Sequence, residues 1–126
     1  MNFRKIILKS GANVILGKDE DSNDYLMRDF EGKPNIILHT VSPGSPFGVI
    51  NRLEPMPTKE EISASGAWVA RYSQDWRDNE GDVKVSVFTG KDISKEKGMK
   101  QGLWKVDKSK TITVKKEDIL KIDKKN

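Results

Sequence analysis

The sequence predicts an α+β domain in which a mostly antiparallel sheet carries one long helix and one short helix. Two observations favour this class. Short apolar runs bounded by turn residues recur along the chain and are typical of strands, whereas a single long segment combines a helix-capping motif with helical spacing of its apolar residues. The chain has 126 residues, the length of one domain, so we expect residues 1–126 to form a single unit.

The N-terminal part predicts a β-hairpin followed by the short helix. Residues 3–9 and 13–18 carry short apolar runs, and the turn "SGA" separates them. Ser22 or Asn23 then has the position of an N-cap, and the helix is expected to end at Phe30, just before "EGKP".

The middle of the chain predicts two strands and the long helix. Residues 35–41 and 47–53 are apolar runs typical of strands. Thr58 has the position of an N-cap, and Glu61 three residues later completes a capping box, so we expect a helix from there to about Arg77. Several small residues on this helix should allow its backbone to lie close to the sheet.

The C-terminal part predicts three more strands. Residues 83–89 alternate strictly between valine and other residues, as a half-buried strand does. "GKDISKEKGMKQG" is expected to be a loop, and "LWKV" and "TITV" around "DKSK" a final hairpin. Residues 115–126 are expected to form a short helical turn and a partly frayed tail.

The charge of the chain is unevenly distributed. Residues 1–90 carry 11 basic and 13 acidic residues, whereas residues 91–126 carry 12 lysines and 6 acidic residues, a net charge of +6. A basic region on a nearly neutral body can bind polyanions. The alternative is an ordinary solubilising surface, because lysines are mostly exposed in any protein.

The composition argues against catalysis. There is no cysteine and only one histidine, which excludes a thiol nucleophile or a disulfide and disfavours a transition-metal site. A Ser-His-Asp set would have to use Ser45, His39 and Asp24, without the G-x-S-x-G elbow that presents a nucleophile. No phosphate-binding glycine motif occurs. We therefore expect no enzyme, no cofactor and no metal.

Membrane segments are not predicted either. No apolar run approaches the roughly 20 residues that a bilayer-spanning helix requires, and the N-terminal run is too short for a signal peptide. We therefore expect a cytoplasmic protein without a membrane partner.

Nucleic-acid binding is the chemistry that the basic region favours. Lysines along a glycine-bearing loop can follow a phosphate backbone, and four of them are the candidate phosphate contacts: Lys95, Lys97, Lys100 and Lys105. Trp104, at the end of this loop, has two alternative roles. It either stacks on an unpaired base or is a core residue.

The order of short motifs resembles a known family. Along residues 3–114 the chain carries "NVILGK", "NDYL", "NIILHTV", "PGS", "GAWVARYSQDWR", "VFT", "SKEKGMKQGLW" and "KTITV". In this order and spacing they resemble the RNA-binding domain of the NFACT proteins, the C-terminal module of ribosome-associated quality-control factors. Three positions depart from the family pattern: Asn35 and Ile37 replace an acid and a tryptophan, and Pro46 replaces a histidine.

The resemblance implies a stand-alone, non-catalytic RNA-binding module that contacts tRNA or rRNA in translation or in ribosome quality control. It implies the large ribosomal subunit as a partner and adds a second group of site residues from the family's strongest motifs: His39, Ser45, Asn23 and Asp24. DNA binding remains an alternative, and the oligomeric state is left open. A protein-interaction adaptor that docks on a ribosomal or RNA-decay factor is the second hypothesis, and an enzyme acting on nucleic acid is the third.

Overall fold

A six-stranded antiparallel sheet organises the chain, and helices cover both of its faces. The computed structural model describes residues 2–124. The elements in chain order are β1 Phe3–Ile7, β2 Asn13–Gly17, α1 Glu20–Phe30, β3 Ile36–Thr40, β4 Gly48–Ile50, α2 Lys59–Arg71, α3 Gln74–Asn79, β5 Val83–Thr89, a 3-10 turn Gly90–Asp92, β6 Ile93–Ser94, β7 Lys105–Val106, β8 Lys110–Val114 and α4 Lys116–Lys124.

The strands follow the order β1-β2-β4-β3-β5-β8, and every neighbouring pair is antiparallel. Strands β6 and β7 form a separate two-stranded sheet. The predicted α+β class with a mostly antiparallel sheet is therefore confirmed. The predicted N-terminal hairpin is also present, as β1 and β2, and Gly11 allows its turn with a φ of +93°.

Helix α2 packs on one face of the sheet and approaches it closely at Gly66. A Cβ at this position would stand 3.1 Å from Cγ2 of Val114 and 3.2 Å from Cδ1 of Ile112, so the small residue sets the helix-to-sheet distance. The predicted capping box is confirmed. Thr58 Oγ1 accepts from the Glu61 backbone N–H, and Glu61 Oε1 accepts from that of Thr58.

The long helix is shorter than predicted, because it is interrupted before Arg77. Helix α2 ends at Arg71, and Ser73 caps a separate helix α3. The Ser73 hydroxyl donates to the Ala70 carbonyl and accepts from the Trp76 backbone N–H. A buried serine that bonds the local backbone in this way competes with continuation of the helix.

The other face of the sheet is covered in part by α1 and by the β6–β7 pair. Helix α1 begins three to four residues earlier than predicted, because Asp19 is its N-cap and Ser22 occupies the third helical position of the capping box. The apolar cluster on this face includes Met27, Ile37, Phe88 and Trp104.

Two predictions about the C-terminal part were wrong. Strand β7 pairs with β6, and β8 pairs with β5, so no hairpin joins "LWKV" to "TITV". The segment expected to be a loop contains β6. The helical turn predicted after residue 115 is helix α4, in which Ile119 and Ile122 are buried against the α2 face of the sheet. Residues 125–126 lie outside the described part of the chain.

Within residues 2–124 no helix is long and apolar enough to cross a membrane.

Candidate nucleic-acid interface

The basic loop between β6 and β7 is attached to helix α1 through one carboxylate. Asp24 is buried, and its Oδ1 accepts three hydrogen bonds: from Lys95 Nζ at 2.9 Å, from the Gly102 backbone N–H at 3.1 Å and from Trp104 Nε1 at 2.9 Å. Its Oδ2 accepts from Arg28 Nε at 3.3 Å. A single side chain of α1 thus fixes both ends of the loop.

Burial of Asp24 raises the pKa of its carboxyl group, but the hydrogen bonds from Lys95, Gly102 and Trp104 outweigh this effect and lower it to about 2. The carboxylate is therefore charged at neutral pH. Its negative charge organises the loop, and both of its oxygens accept hydrogen bonds from N–H groups of the protein.

Lys95 is a component of this loop. Besides the Asp24 carboxylate, its Nζ donates to the carbonyl oxygens of Lys100 at 2.6 Å and Leu103 at 2.8 Å. A lysine ammonium group has three N–H donors, and all three are used here. The phosphate contact predicted for Lys95 would require one of these bonds to break, so the structure gives this residue a positioning role.

The other three predicted lysines are exposed. Lys97 and Lys100 lie at the surface of the loop. Lys105 lies on β7, where its Nζ is 3.1 Å from Glu96 and 3.9 Å from Asp107. The hydrogen bond to Glu96 and the two nearby negative charges raise the pKa of Lys105. Exposed ion pairs of this kind are weak and exchange readily with other anions.

The "PGS" turn between β3 and β4 is held by two predicted site residues. Asn23 Oδ1 accepts from the Phe47 backbone N–H at 3.0 Å, which joins the start of β4 to α1. Ser45 Oγ accepts from the Thr40 backbone N–H at 3.0 Å and donates to the Pro46 carbonyl at 3.1 Å. Both side chains therefore shape the turn, and proline at position 46 leaves Ser45 able to close it.

Gly44 in the same turn contacts the start of α3. Its carbonyl accepts from the Gln74 backbone N–H at 2.7 Å, and its φ of +90° is a conformation that glycine adopts readily. Because Ser73 caps α3, the break in the long helix is what places Gln74 against the turn.

His39 borders this turn and is half-buried. Its ring lies 4.4 Å from the ring of Phe47, measured between centroids, and its Nδ1 is 2.8 Å from the Thr40 carbonyl oxygen. A carbonyl only accepts, so Nδ1 carries the proton. Burial lowers the pKa of His39, against the opposing effect of the Thr40 and Ser45 carbonyl groups. The ring is thus favoured in its neutral form.

The predicted site residues therefore form two groups. Asp24 and Lys95 meet at the base of the basic loop, while Asn23, Ser45 and His39 surround the "PGS" turn. Neighbouring positions on α1, Asn23 and Asp24, connect the two groups. Trp104 is a core residue, since only 8% of its surface is exposed, so its ring face is not free to stack on a base.

Sequence reasoning missed a polar strip on the sheet beside His39. His39 on β3 pairs with Ser86 on β5, which in turn pairs with Thr111 on β8. Two residues further along β5, on the same face, Lys84 pairs with Thr113. The signal was available, because the alternation in residues 83–89 and 111–114 separates these polar side chains from the apolar ones.

A second basic cluster lies on the other side of the "PGS" turn and was also missed. The Arg4 guanidinium stands 3.9 Å above the ring of Tyr72, and that of Arg71 is 5.6 Å from the same ring. A cavity of about 320 Å³ opens here, lined by Arg4, Lys18 and Arg77 together with the turn. No local motif marks this cluster, because β1, α2 and α3 contribute to it separately.

Metal chemistry finds no support in the described residues. Within positions 2–124 no group of three or more histidine, cysteine, aspartate or glutamate side chains is arranged to hold a metal ion.

Comparison with known proteins finds a matching family model and a solved structure with a similar fold. The family model described as the NFACT protein RNA binding domain matches residues 2–122. Among solved structures, the C-terminal part of the fibronectin/fibrinogen-binding protein from Streptococcus suis is similar, with a TM-score of 0.82 and 22% identity. The similarity covers 97% of this chain but 49% of that chain, about half its length. No curated protein matches.

The similarity to the streptococcal structure shows the fold, whereas the family match covers nearly the whole chain and supports RNA binding as its general role. The chain belongs to the family of NFACT RNA-binding domains.

Proposed function

We propose that this domain is a non-catalytic module that contacts tRNA or rRNA in translation or in ribosome-associated quality control, in the cytoplasm and on the large ribosomal subunit. The observation that carries the proposal is the basic loop between β6 and β7. It presents exposed Lys97 and Lys100 on a backbone that Asp24 and Lys95 hold in place.

A loop fixed in this way suits the binding of a phosphate. Binding orders flexible side chains and loops at a free-energy cost, and a loop that is already ordered avoids part of that cost. Lysine contacts phosphates as a point charge without selecting a base, so the loop would supply affinity and orientation more than sequence specificity.

Salt titration of RNA affinity tests this proposal. Replacing Lys97 and Lys100 together with glutamine should weaken binding of tRNA and of an rRNA fragment, and should reduce the log-log salt slope by about 0.7–0.9 for each phosphate that the protein no longer neutralises. A matched control replaces Lys59 and Lys121, which line a cavity between α2 and α4 on the other face of the sheet. This variant also removes two positive charges, and its slope should stay at the wild-type value.

Equal weakening in both double variants would mean that total charge, and not this loop, governs binding. Comparing tRNA with the rRNA fragment, and adding co-sedimentation with ribosomal subunits, distinguishes the two partners. If the domain binds DNA of the same length as tightly as RNA, it does not select RNA over DNA.

A protein-interaction adaptor is the second candidate function. Leu53 and Met56 precede α2 by a few positions and are 49% and 73% exposed, and exposed apolar side chains can contact a partner protein. Pull-down of a ribosomal or RNA-decay factor after nuclease treatment, abolished when Met56 is replaced with serine, would favour this function.

A further inference from the structure

One face of the sheet is only partly covered. Ile37 and Phe88 are paired across β3 and β5 and lie in the apolar cluster beneath α1 and β6–β7. Two residues further along, the same face carries the pair His39 and Ser86, which are half-buried, and then Thr111, which is exposed. The covered part of the face therefore ends between the Ile37–Phe88 pair and the His39–Ser86 pair.

A cavity of about 210 Å³ lies at this boundary. Phe47, Trp104 and Val106 contribute apolar surface to it, while His39 and Ser86 contribute polar groups. Apolar and aromatic walls with a few polar groups are the usual lining of a ligand site, and this cavity is smaller than most such sites, so it suits one flat ring better than a whole ligand.

The two polar groups are free to bind. His39 Nδ1 bonds the Thr40 carbonyl, and among the described residues neither Nε2 nor Ser86 Oγ has a partner in hydrogen-bond geometry, although the Ser45 backbone also acts on the ring and raises its pKa. In the neutral ring with its proton on Nδ1, Nε2 is an acceptor, and the Ser86 hydroxyl can donate or accept. Together, His39 Nε2 and Ser86 Oγ can pair with a ring that carries an N–H group next to a hydrogen-bond acceptor.

Two lysines lie close in sequence to residues that line the cavity. Lys84 is two residues from Ser86 on the same face of β5, and Lys108 precedes Ser109, which also lines the cavity. Both lysines are exposed, and neither forms an ion pair within residues 2–124. A nucleotide within a strand combines a heteroaromatic ring with neighbouring phosphates, and lysines near the cavity can contact such phosphates.

We infer that this cavity takes one unpaired nucleobase of a bound RNA, with His39 Nε2 accepting from an N–H group of the base and Ser86 Oγ pairing with the neighbouring atom. The inference rests on the proposed RNA-binding function and adds a base contact to it. All four bases carry an N–H group beside an acceptor on the Watson–Crick edge, so the cavity should require a base without selecting strongly among them.

Nitrogen-15 NMR of the imidazole ring tests this inference, because His39 is the only histidine of the chain and its two ring signals are unambiguous. The two probes are an oligouridylate and an abasic ribose-phosphate oligomer of the same length and charge. We expect the oligouridylate to shift the Nε2 signal and leave Nδ1 near its free position, and the abasic oligomer to shift neither.

Affinity measurements provide the second test. Ser86→Ala should weaken the binding of the oligouridylate about fivefold, the value of one hydrogen bond of about 1 kcal/mol, and leave that of the abasic oligomer unchanged. Ser63→Ala is the matched control, since Ser63 is exposed on α2 and lies on the other face of the sheet. It should change neither affinity.

The possible failures are distinct. If the oligouridylate binds through the loop lysines but the His39 signals do not move, or if both oligomers move them equally, the base contact is wrong and the proposed RNA-binding function stands. If neither oligomer nor structured RNA binds, the proposed function fails and the base contact fails with it.

Discussion

Trp104 donates a hydrogen bond of 2.9 Å from its indole Nε1 to Oδ1 of Asp24, across 80 positions of the chain. The same oxygen accepts from Lys95 Nζ and from the Gly102 backbone N–H. One carboxylate on α1 therefore joins the core to the basic loop, while its neighbour Asn23 accepts from the Phe47 backbone N–H next to the "PGS" turn. The stability of this part of the fold should depend on that carboxylate and its charge.

Asp24 and Lys95 should be strongly coupled in stability. Asp24→Asn and Lys95→Met each leave the other, largely covered charge without its partner, so we expect each to lower the free energy of unfolding by about 2–4 kcal/mol. The double variant should cost less than the sum of the two by about 1–3 kcal/mol. Urea denaturation monitored by circular dichroism measures all four proteins.

The matched controls for this cycle are Asp29→Asn on the same helix and Lys97→Met on the same loop. Both side chains are exposed, so each variant should stay within about 0.5 kcal/mol of the wild type. Strictly additive effects of Asp24→Asn and Lys95→Met would show that the carboxylate and the ammonium group do not stabilise each other.

Trp104 should matter for stability and not for stacking on RNA. Trp104→Phe keeps an aromatic wall but removes the N–H that Asp24 accepts, so we expect a decrease of about 1–3 kcal/mol in the free energy of unfolding. Because phenylalanine keeps an aromatic wall beside the cavity, affinity for structured RNA should change by less than about twofold at temperatures where the variant is folded. A large decrease in affinity with unchanged stability would contradict the core role of this tryptophan.

The parts of the fold that the sequence predicted correctly are those with local causes. The hairpin β1–β2 follows from a glycine turn between two apolar runs, and the start of α2 follows from the capping box of Thr58 and Glu61. Strand β5 was predicted at its observed bounds because its alternation is strict. These signals lie within a few residues of the structure they specify.

The errors concern long-range pairing. The sequence of β7 and β8 is compatible with a hairpin, but β7 is held against β6 by the loop that Asp24 organises, and β8 pairs with β5. Lys95 looks like its exposed neighbours in the sequence, and only the fold reveals its three internal acceptors. The chemistry of the basic loop was predictable from composition, whereas the division between positioning and exposed lysines was not.

Acid should destabilise the protein chiefly through the two carboxylates whose pKa values are lowered most, Glu61 and Asp24. The pKa of Glu61 is lowered from 4.5 to about 2 by hydrogen bonds from Arg52, Ser10 and Thr58. The pKa of Asp24 is lowered from 3.8 to about 2. Each folded-state pKa lies below the unfolded value, so the stabilisation is complete above about pH 5 and disappears as the pH falls through about 2.

We therefore expect the melting temperature, followed by circular dichroism, to fall between about pH 5 and pH 2. Glu61→Gln should make this fall shallower, because one of the two groups no longer titrates. Glu60→Gln, at an exposed neighbouring position, is the control and should keep the wild-type slope. An unchanged slope in Glu61→Gln would show that the Arg52 contact does not favour the charged form of Glu61.

Two glycines should respond very differently to alanine, because the added Cβ meets different kinds of atom. At Gly66 it meets only the side-chain ends of Ile112, Val114 and Leu38, and the better helix propensity of alanine offsets the crowding, so we expect a change within about 1 kcal/mol. At Gly90 it would overlap the carbonyl oxygen of Phe30, which the backbone holds in place, so we expect a destabilisation of at least about 3 kcal/mol. Urea denaturation of both variants checks this, and similar values for the two would contradict it.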